Sequence, residues 1–414
     1  MPKNRAVSGS WILLLAFAFV PQESSASSAE KVLYSFNVDR GMYPGAGLTI
    51  GEAGNFLGTT GNGGGISCTG GGGPGCGVIF QIDKHGKESV LHAFAGGDDD
   101  GANPDSGLIT DGAGNYYGVT AAGGPNSDGV VYELAADGTE SMIYAFQGGA
   151  DGRAPMGNLA RDGQGNLYGT TFYGGNPACL PPSGCGTVFE VSPGGVLTVL
   201  HTFQGGTDGA YSLSGLIIDS GGNLYGTTLA GGGNGCVSIG GCGTAFRIAP
   251  DGTETILHAF PANASDGESP GGGLIMDGAG NLFGTTGEGG QPRCEGNSAG
   301  CGTVFEISPD GTESVLYAFK GGSDGESPGS AVVMDSSGNL YGGAGGGGVG
   351  CKRNGGCGTV FKLAPNGKES VLYAFDGRDG SVPQAQLLLV GKKLYGTTLQ
   401  GGSHKKGVVY EIEK

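Results

Sequence analysis

A segment of the form NLYGTT occurs seven times in this chain, at 55–60, 115–120, 166–171, 223–228, 281–286, 339–344 and 393–398. The spacings are 60, 51, 57, 58, 58 and 54 residues. A unit of that size cannot bury its apolar face alone, so neighbouring units must cover one another. Three companion segments keep step with it, typified by GLIMD (273–277), GTVFEI (302–307) and ESVLYAF (313–319). All are short, rich in Val, Ile, Leu, Tyr, Phe and Thr, and bounded by Gly, Pro, Asn or Asp, which are strand signals. We name them strands A (GLIMD), B (NLYGTT), C (GTVFEI) and D (ESVLYAF). D-x-x-G-N between A and B, and P-D-G-T between C and D, fit tight hairpin turns.

The two ends carry the decisive detail. The first repeat element is a D strand at 32–36 and the last is a C strand at 407–412, so the final unit lacks its own D. A closed ring resolves this and leaves no free sheet edge. The sequence therefore predicts an all-β fold over 30–414: a seven-bladed β-propeller of four-stranded antiparallel blades, in which residues 32–36 complete the last blade. The tracts at 148–152 and 321–325 superficially match calcium-binding β-roll repeats. Those recur every nine residues or so, and these do not. An open solenoid would not need a spare strand at one end to match a gap at the other.

Composition narrows compartment and partners. Glycine supplies 94 of 414 residues, which without a period would indicate low complexity. A formal net charge of −17 argues against nucleic acid, because phosphate binding needs a basic surface. The 37% hydrophobic share excludes a multi-span membrane protein. Residues 1–29 read as a secretory signal, with Lys3 and Arg5 before an apolar run from Trp11 to Val20 and small residues up to Ala29. That run is too short to span a bilayer. No cysteine near it supports a lipid anchor, and nothing at the C-terminus resembles one. The expectation is a secreted or cell-surface protein, with the periplasm as an alternative, acting as a monomer without a membrane span.

Up-and-down topology places every D-to-A and B-to-C connection on one face and every short turn on the other. Variable loops on a rigid scaffold are where function resides. Five cysteine pairs fall in B-to-C loops: Cys68 and Cys76, Cys179 and Cys185, Cys236 and Cys242, Cys294 and Cys301, Cys351 and Cys357. Blades 2 and 7 lack them and have loops of 8 residues, against 13 to 16 elsewhere. Local disulfides stapling the longer loops explain that pairing, at about 2 kcal/mol each in an oxidising compartment. Zinc-binding thiolates would want closer spacing.

The D-to-A loops carry D-G-x-x-P at Asp100, Asp151, Asp266, Asp324 and Asp379, with Asp208-Gly209 in blade 4 lacking the proline. Asp98 and Asp99 add carboxylates in blade 2. One reading is a rim that binds calcium or a cationic ligand. The other is a turn in which Asp caps backbone N–H groups, and recurrence around the ring favours it. The aspartates of D-x-x-G-N are turn caps on the same argument. His92, His201 and His258 share a strand D position with Tyr34, Tyr144, Tyr317 and Tyr373, which marks a structural slot. Arg161 replaces an apolar or Thr residue on strand A of blade 3 and could hold an anion in the central channel, or mark an exposed strand end. No nucleophile elbow, phosphate loop or metal-ligand motif is present, so no catalytic residue is assigned.

The unit VLYAF…DG…P…GNLYGTT…GTVFEI…PDGT, as at 315–319, 338–341 and 302–307, resembles the GloVer-type tandem repeat of choice-of-anchor surface proteins. The resemblance covers the chain after the signal and implies an exported bacterial β-propeller without an assigned activity. The expected function is a non-enzymatic binding scaffold that presents its stapled loops to a glycan or protein. The alternatives are a lyase- or lactonase-type propeller enzyme with a site at the channel mouth, or a structural surface component.

Overall fold

The computed structural model describes residues 1, 30–69, 74–233, 242–261, 265–291, 294, 299–348, 351 and 355–414. The expected signal lies, Met1 apart, outside them. Seven four-stranded antiparallel sheets run A-B-C-D from first to last strand. Blade 1 shows the plan: A at Thr49–Ile50, B at Phe56–Thr60, C at Val78–Ile82 and D at Glu88–Ala93. In blade 7 strand D is the N-terminal Glu30–Ser35, hydrogen-bonded to the C-terminal strand Val408–Glu413, with Lys31 opposite Glu411 and Tyr34 opposite Val409. The ring closes as expected. No helix among the described residues is long and apolar enough to cross a membrane.

One aromatic pair per seam locks each blade to the next. The Phe that ends strand D meets, edge to face, the ring at the middle of strand C in the following blade. Centroids are 4.9 Å apart for Phe36–Phe80, 5.2 Å for Phe94–Tyr132, 5.1 Å for Phe146–Phe189 and 5.3 Å for Phe203–Phe246. Phe260–Phe305, Phe319–Phe361 and Phe375–Tyr410 complete the circle at 5.1, 5.1 and 5.0 Å. All seven Phe residues that end strand D are fully buried. Phe36 comes from the N-terminal strand, so the closing seam uses the same contact as the other six. The glycine of NLYGTT is explained here: a Cβ on Gly58 or Gly226 would stand 2.7 Å from the Cζ of Phe80 or Phe246.

A second seam device is polar. The first residue of strand D is Glu in six blades; in five it faces the Asp of the preceding blade's D-to-A loop, and in blade 1 Glu88 meets Arg40 at 3.2 Å instead. Burial, then Asp379 and Asp376, push the Glu30 carboxyl up to about 7. Burial and Asp324 likewise raise Glu369. Each of these glutamates has an Oε1 atom buried without a hydrogen-bond partner among the described residues. A carboxyl whose folded pKa is raised holds its proton where the unfolded chain has released it, so its contribution weakens as pH rises from the ordinary value of 4.5 toward the folded one. The melting temperature should therefore fall between about pH 5 and about pH 8, and Glu30→Gln with Glu369→Gln should flatten that slope. Calorimetric melts across the range check this; a flat or rising wild-type profile contradicts it.

Candidate functional site

Where the seven blades agree, their side chains are consumed by structure. In the A-to-B turns, Asp111 Oδ1 accepts hydrogen bonds from the N–H groups of Ala113 at 2.8 Å and Asn115 at 3.2 Å, and Asp162, Asp219, Asp277 and Asp335 repeat the arrangement. These hydrogen bonds outweigh desolvation and hold the five carboxyls below the usual range. The D-G aspartates of the long-loop face also turn inward. Asp100 Oδ2 accepts from Ala95 N–H at 2.7 Å, Asp151 from Gln147 N–H at 2.8 Å and Asp324 from Lys320 N–H at 2.8 Å. Asp208 and Asp379 accept from Gln204 and Asp376 N–H at 2.5 and 2.9 Å, and Asp266 from Gly267 N–H at 2.7 Å. Each also meets the His or Tyr of its own strand D, as in Tyr144 Oη to Asp151 at 2.9 Å. Asp98 and Asp99 alone of the expected rim face solvent.

Four of the five cysteine pairs are disulfides, with Cα atoms 5.0 Å apart in Cys68–Cys76, 5.7 Å in Cys179–Cys185, and 5.3 Å in both Cys294–Cys301 and Cys351–Cys357. The remaining pair includes Cys236, which lies outside the described residues. The second cysteine of each pair does more than staple. Its carbonyl accepts a hydrogen bond from the D-to-A loop of the next blade, at 2.8 Å from Asn103, 3.0 Å from Tyr211, 2.8 Å from Ser269, 2.9 Å from Ser327 and 2.9 Å from Val382. In the blades without cysteine, Asp128 and Lys406 supply that carbonyl to Ala154 and Tyr43.

All seven of those donors have left-handed backbone, with φ between 51° and 62°. The backbone is thus fixed at seven equivalent points while the side chain is free to differ. Immediately beyond them, the loops descend to the channel mouth, a depression of about 210 Å³. Its walls are mostly glycine and backbone, and the side chains that line it differ from blade to blade: Asp105, Asn158, Leu213, Gln384 and Gln386. Asn158 Oδ1 accepts from Gly107 N–H at 2.7 Å, tying two blades together. Asp105 is reached by solvent, yet the surrounding walls displace bulk water and push its carboxyl up to about 6. Beside the mouth, Phe172 stacks on Tyr211 with centroids 4.8 Å apart, and Arg153 lies 5.0 Å over the Tyr173 ring.

Arg161 stands on the opposite side, where strand A of blade 3 (Arg153–Arg161) runs into its short turn. Its guanidinium lies 5.9 Å over the Tyr117 ring of blade 2, and its Nε is buried without a partner among the described residues. Gln164, Tyr168, Glu190 and Asp219 share the depression around it. The mouth residues were open to sequence reasoning, since they stand one to three residues after the D-to-A proline position and vary there while their flanks repeat.

The left-handed positions yield a direct check. A β-branched side chain in that region costs on the order of 1 kcal/mol, whereas Asn tolerates it. Blade 2 already has Asn103 there, donating from Nδ2 to Gly61 O at 2.7 Å. Val382→Asn, at φ 61°, should therefore stabilise the protein by about 1 kcal/mol in urea unfolding. Destabilisation would contradict the account of these loops.

The fold occurs in solved structures of low sequence identity. A streptogramin B lyase structure aligns at 12% identity over 93% of this chain and 98% of that one, with a TM-score of 0.56. The extracellular domain of a hybrid two-component system from B. thetaiotaomicron aligns at 12% identity over 93% of this chain and 41% of that one, at 0.55. Identities this low establish the shared architecture alone. No curated protein matches the sequence. The sequence model of the Gloeobacter/Verrucomicrobia repeat matches residues 16–240, 181–349 and 238–414. With repeat and ring both in place, the chain belongs to the Gloeobacter/Verrucomicrobia repeat family.

Proposed function

We propose that this protein is an exported propeller whose long-loop face binds a neutral carbohydrate at the channel mouth. The observation that supports it is that the side chains lining one depression, Asp105, Asn158, Leu213, Gln384 and Gln386, differ from blade to blade while the backbone leading to them repeats. Asn158, Gln384 and Gln386 bring amides, and Leu213 brings an apolar wall. Convergent polar groups without a Lys, Arg or His suit a ligand that is rich in hydroxyls and carries no charge. Asp105 is the one titratable side chain in this lining, which favours binding over catalysis by a paired acid and base. The disulfides support an oxidising compartment outside the cytoplasm.

A second reading has one observation in its favour. Asp105 is a solvent-accessible carboxyl at the mouth, the type of group that serves as a general acid or base. Titration calorimetry with neutral gluco-, xylo- and galacto-oligosaccharides tests both readings. Binding is expected for one class, and Gln384→Ala with Gln386→Ala should weaken it at least about tenfold, as two lost hydrogen bonds would. Asp105→Asn should leave most of the affinity intact. Failure of all three sugar classes to bind contradicts the carbohydrate reading. Conversion of a bound sugar by the wild type but not by Asp105→Asn would favour the enzyme.

A further inference from the structure

Three of the seven blade seams differ chemically from the rest. At four of them the strand D residue that faces the D-to-A loop is Tyr34, Tyr144, Tyr317 or Tyr373. Where such a tyrosine meets its aspartate, the phenol gives its single proton to the carboxylate, at 2.9 Å for Tyr144–Asp151 and 2.7 Å for Tyr317–Asp324. The other three seams carry His92, His201 and His258. Each imidazole presents Nε2 to two carboxyl groups at once, one from its own blade's loop and one from strand D of the next blade.

The distances define a compact donor set. His92 Nε2 is 3.4 Å from Asp100 Oδ1 and 4.0 Å from Glu140 Oε2. His201 Nε2 is 3.3 Å from Asp208 and 3.6 Å from Glu254. His258 Nε2 is 3.2 Å from Asp266, and Glu313 completes that set, with one donor atom of each residue within 4.8 Å of the others. The glutamates are deeply buried, with side chains 10% exposed for Glu140 and 12% for Glu254. Oε1 of Glu140, of Glu254 and of Glu313 has no hydrogen-bond partner among the described residues, a feature shared with Glu30, Glu88 and Glu369 at tyrosine seams, so the imidazole nitrogen is what sets these three apart. At a tyrosine seam the facing group is a phenol, which keeps its proton and gives it to one carboxylate. Here an imidazole nitrogen and two carboxylates converge on one point from two blades.

That donor set has a natural occupant. Tetrahedral zinc binds His nitrogen and carboxylate oxygen at about 2.0–2.2 Å, which separates neighbouring donor atoms by about 3.3–3.5 Å. The observed separations bracket that value. One divalent ion also neutralises two carboxylates, removing the like-charge conflict of the buried pair. Imidazole selects against calcium and magnesium, which take oxygen donors, and for the later first-row ions. We propose that the His92–Asp100–Glu140, His201–Asp208–Glu254 and His258–Asp266–Glu313 seams each bind a divalent first-row metal ion, zinc foremost, that staples adjacent blades together. This site class is separate from the channel mouth and stands or falls without it.

The chain supplies its own control, because tyrosine fills the same slot in four blades. Protein stripped with EDTA, reloaded with zinc and desalted should hold up to three zinc ions by elemental mass spectrometry, one per seam. Zinc should raise its melting temperature, since an ion that binds only the folded state stabilises it. The His92→Tyr/His201→Tyr/His258→Tyr variant should keep the wild-type circular dichroism, retain no zinc and show no zinc-dependent shift. If the triple variant fails to fold, His201→Tyr alone should lower the stoichiometry by one. Zinc retention equal in wild type and variants, or none in the wild type, overturns the proposal.

Discussion

Everything in this molecule depends on the pairing of residues 30–35 with the C-terminal strand. A propeller blade buries its faces only against two neighbours, so an open row of seven would expose apolar faces at both ends. The N-terminal strand closes the circle in two ways. It completes the last sheet through backbone hydrogen bonds, and it delivers Phe36 to Phe80 of blade 1, the seventh edge-to-face pair of an unbroken set. The same strand brings Glu30 against the loop of blade 6. Sheet, aromatic seam and polar seam all meet there.

Given closure, the repeat sorts its own residues. Glycine in strand B exists to admit an aromatic ring, Asp in the short turns exists to cap backbone, and Asp in the D-to-A loops exists to fix an inter-blade corner. The strand B glycines and the short-turn aspartates cannot be spared for a ligand, and a D-to-A aspartate could take one only as part of its seam. The positions that remain are those where backbone geometry alone is constrained: the left-handed residue before the proline position, and the two or three residues after it. The residues after it, among them Asp105, Asn158, Leu213, Gln384 and Gln386, gather at one mouth because the blades are arranged in a ring. A stiff frame carrying a small set of exchangeable side chains is an efficient way to recognise ligands, and the disulfides stiffen the loops behind it.

The fold was legible in the sequence because its determinants are local and repeated. Strand length, turn chemistry and the missing strand D each appear in the linear order of residues. Cysteine pairing was legible for the same reason, since loop length and paired cysteines occur together. The seams were less so. Glu at the first position of strand D recurs plainly, yet nothing in one blade's sequence says that it meets the aspartate of the blade before, because the contact crosses between units. The histidines were correctly placed in a slot shared with tyrosine, while their second carboxyl partner comes from the next blade. Arg161 illustrates the converse: its position on strand A was visible, but its place over Tyr117 follows from how blades 2 and 3 pack.

The closing strand can be interrogated with one covalent probe. Lys31 and Glu411 are direct antiparallel partners, and Cα atoms so placed lie about 4.5–5.5 Å apart, within disulfide reach. Peptide mapping of the oxidised Lys31→Cys/Glu411→Cys protein under non-reducing conditions should find residues 31 and 411 joined within a single chain. Two free thiols at those positions, or a bond between separate chains, would show that the circle is not closed in this way.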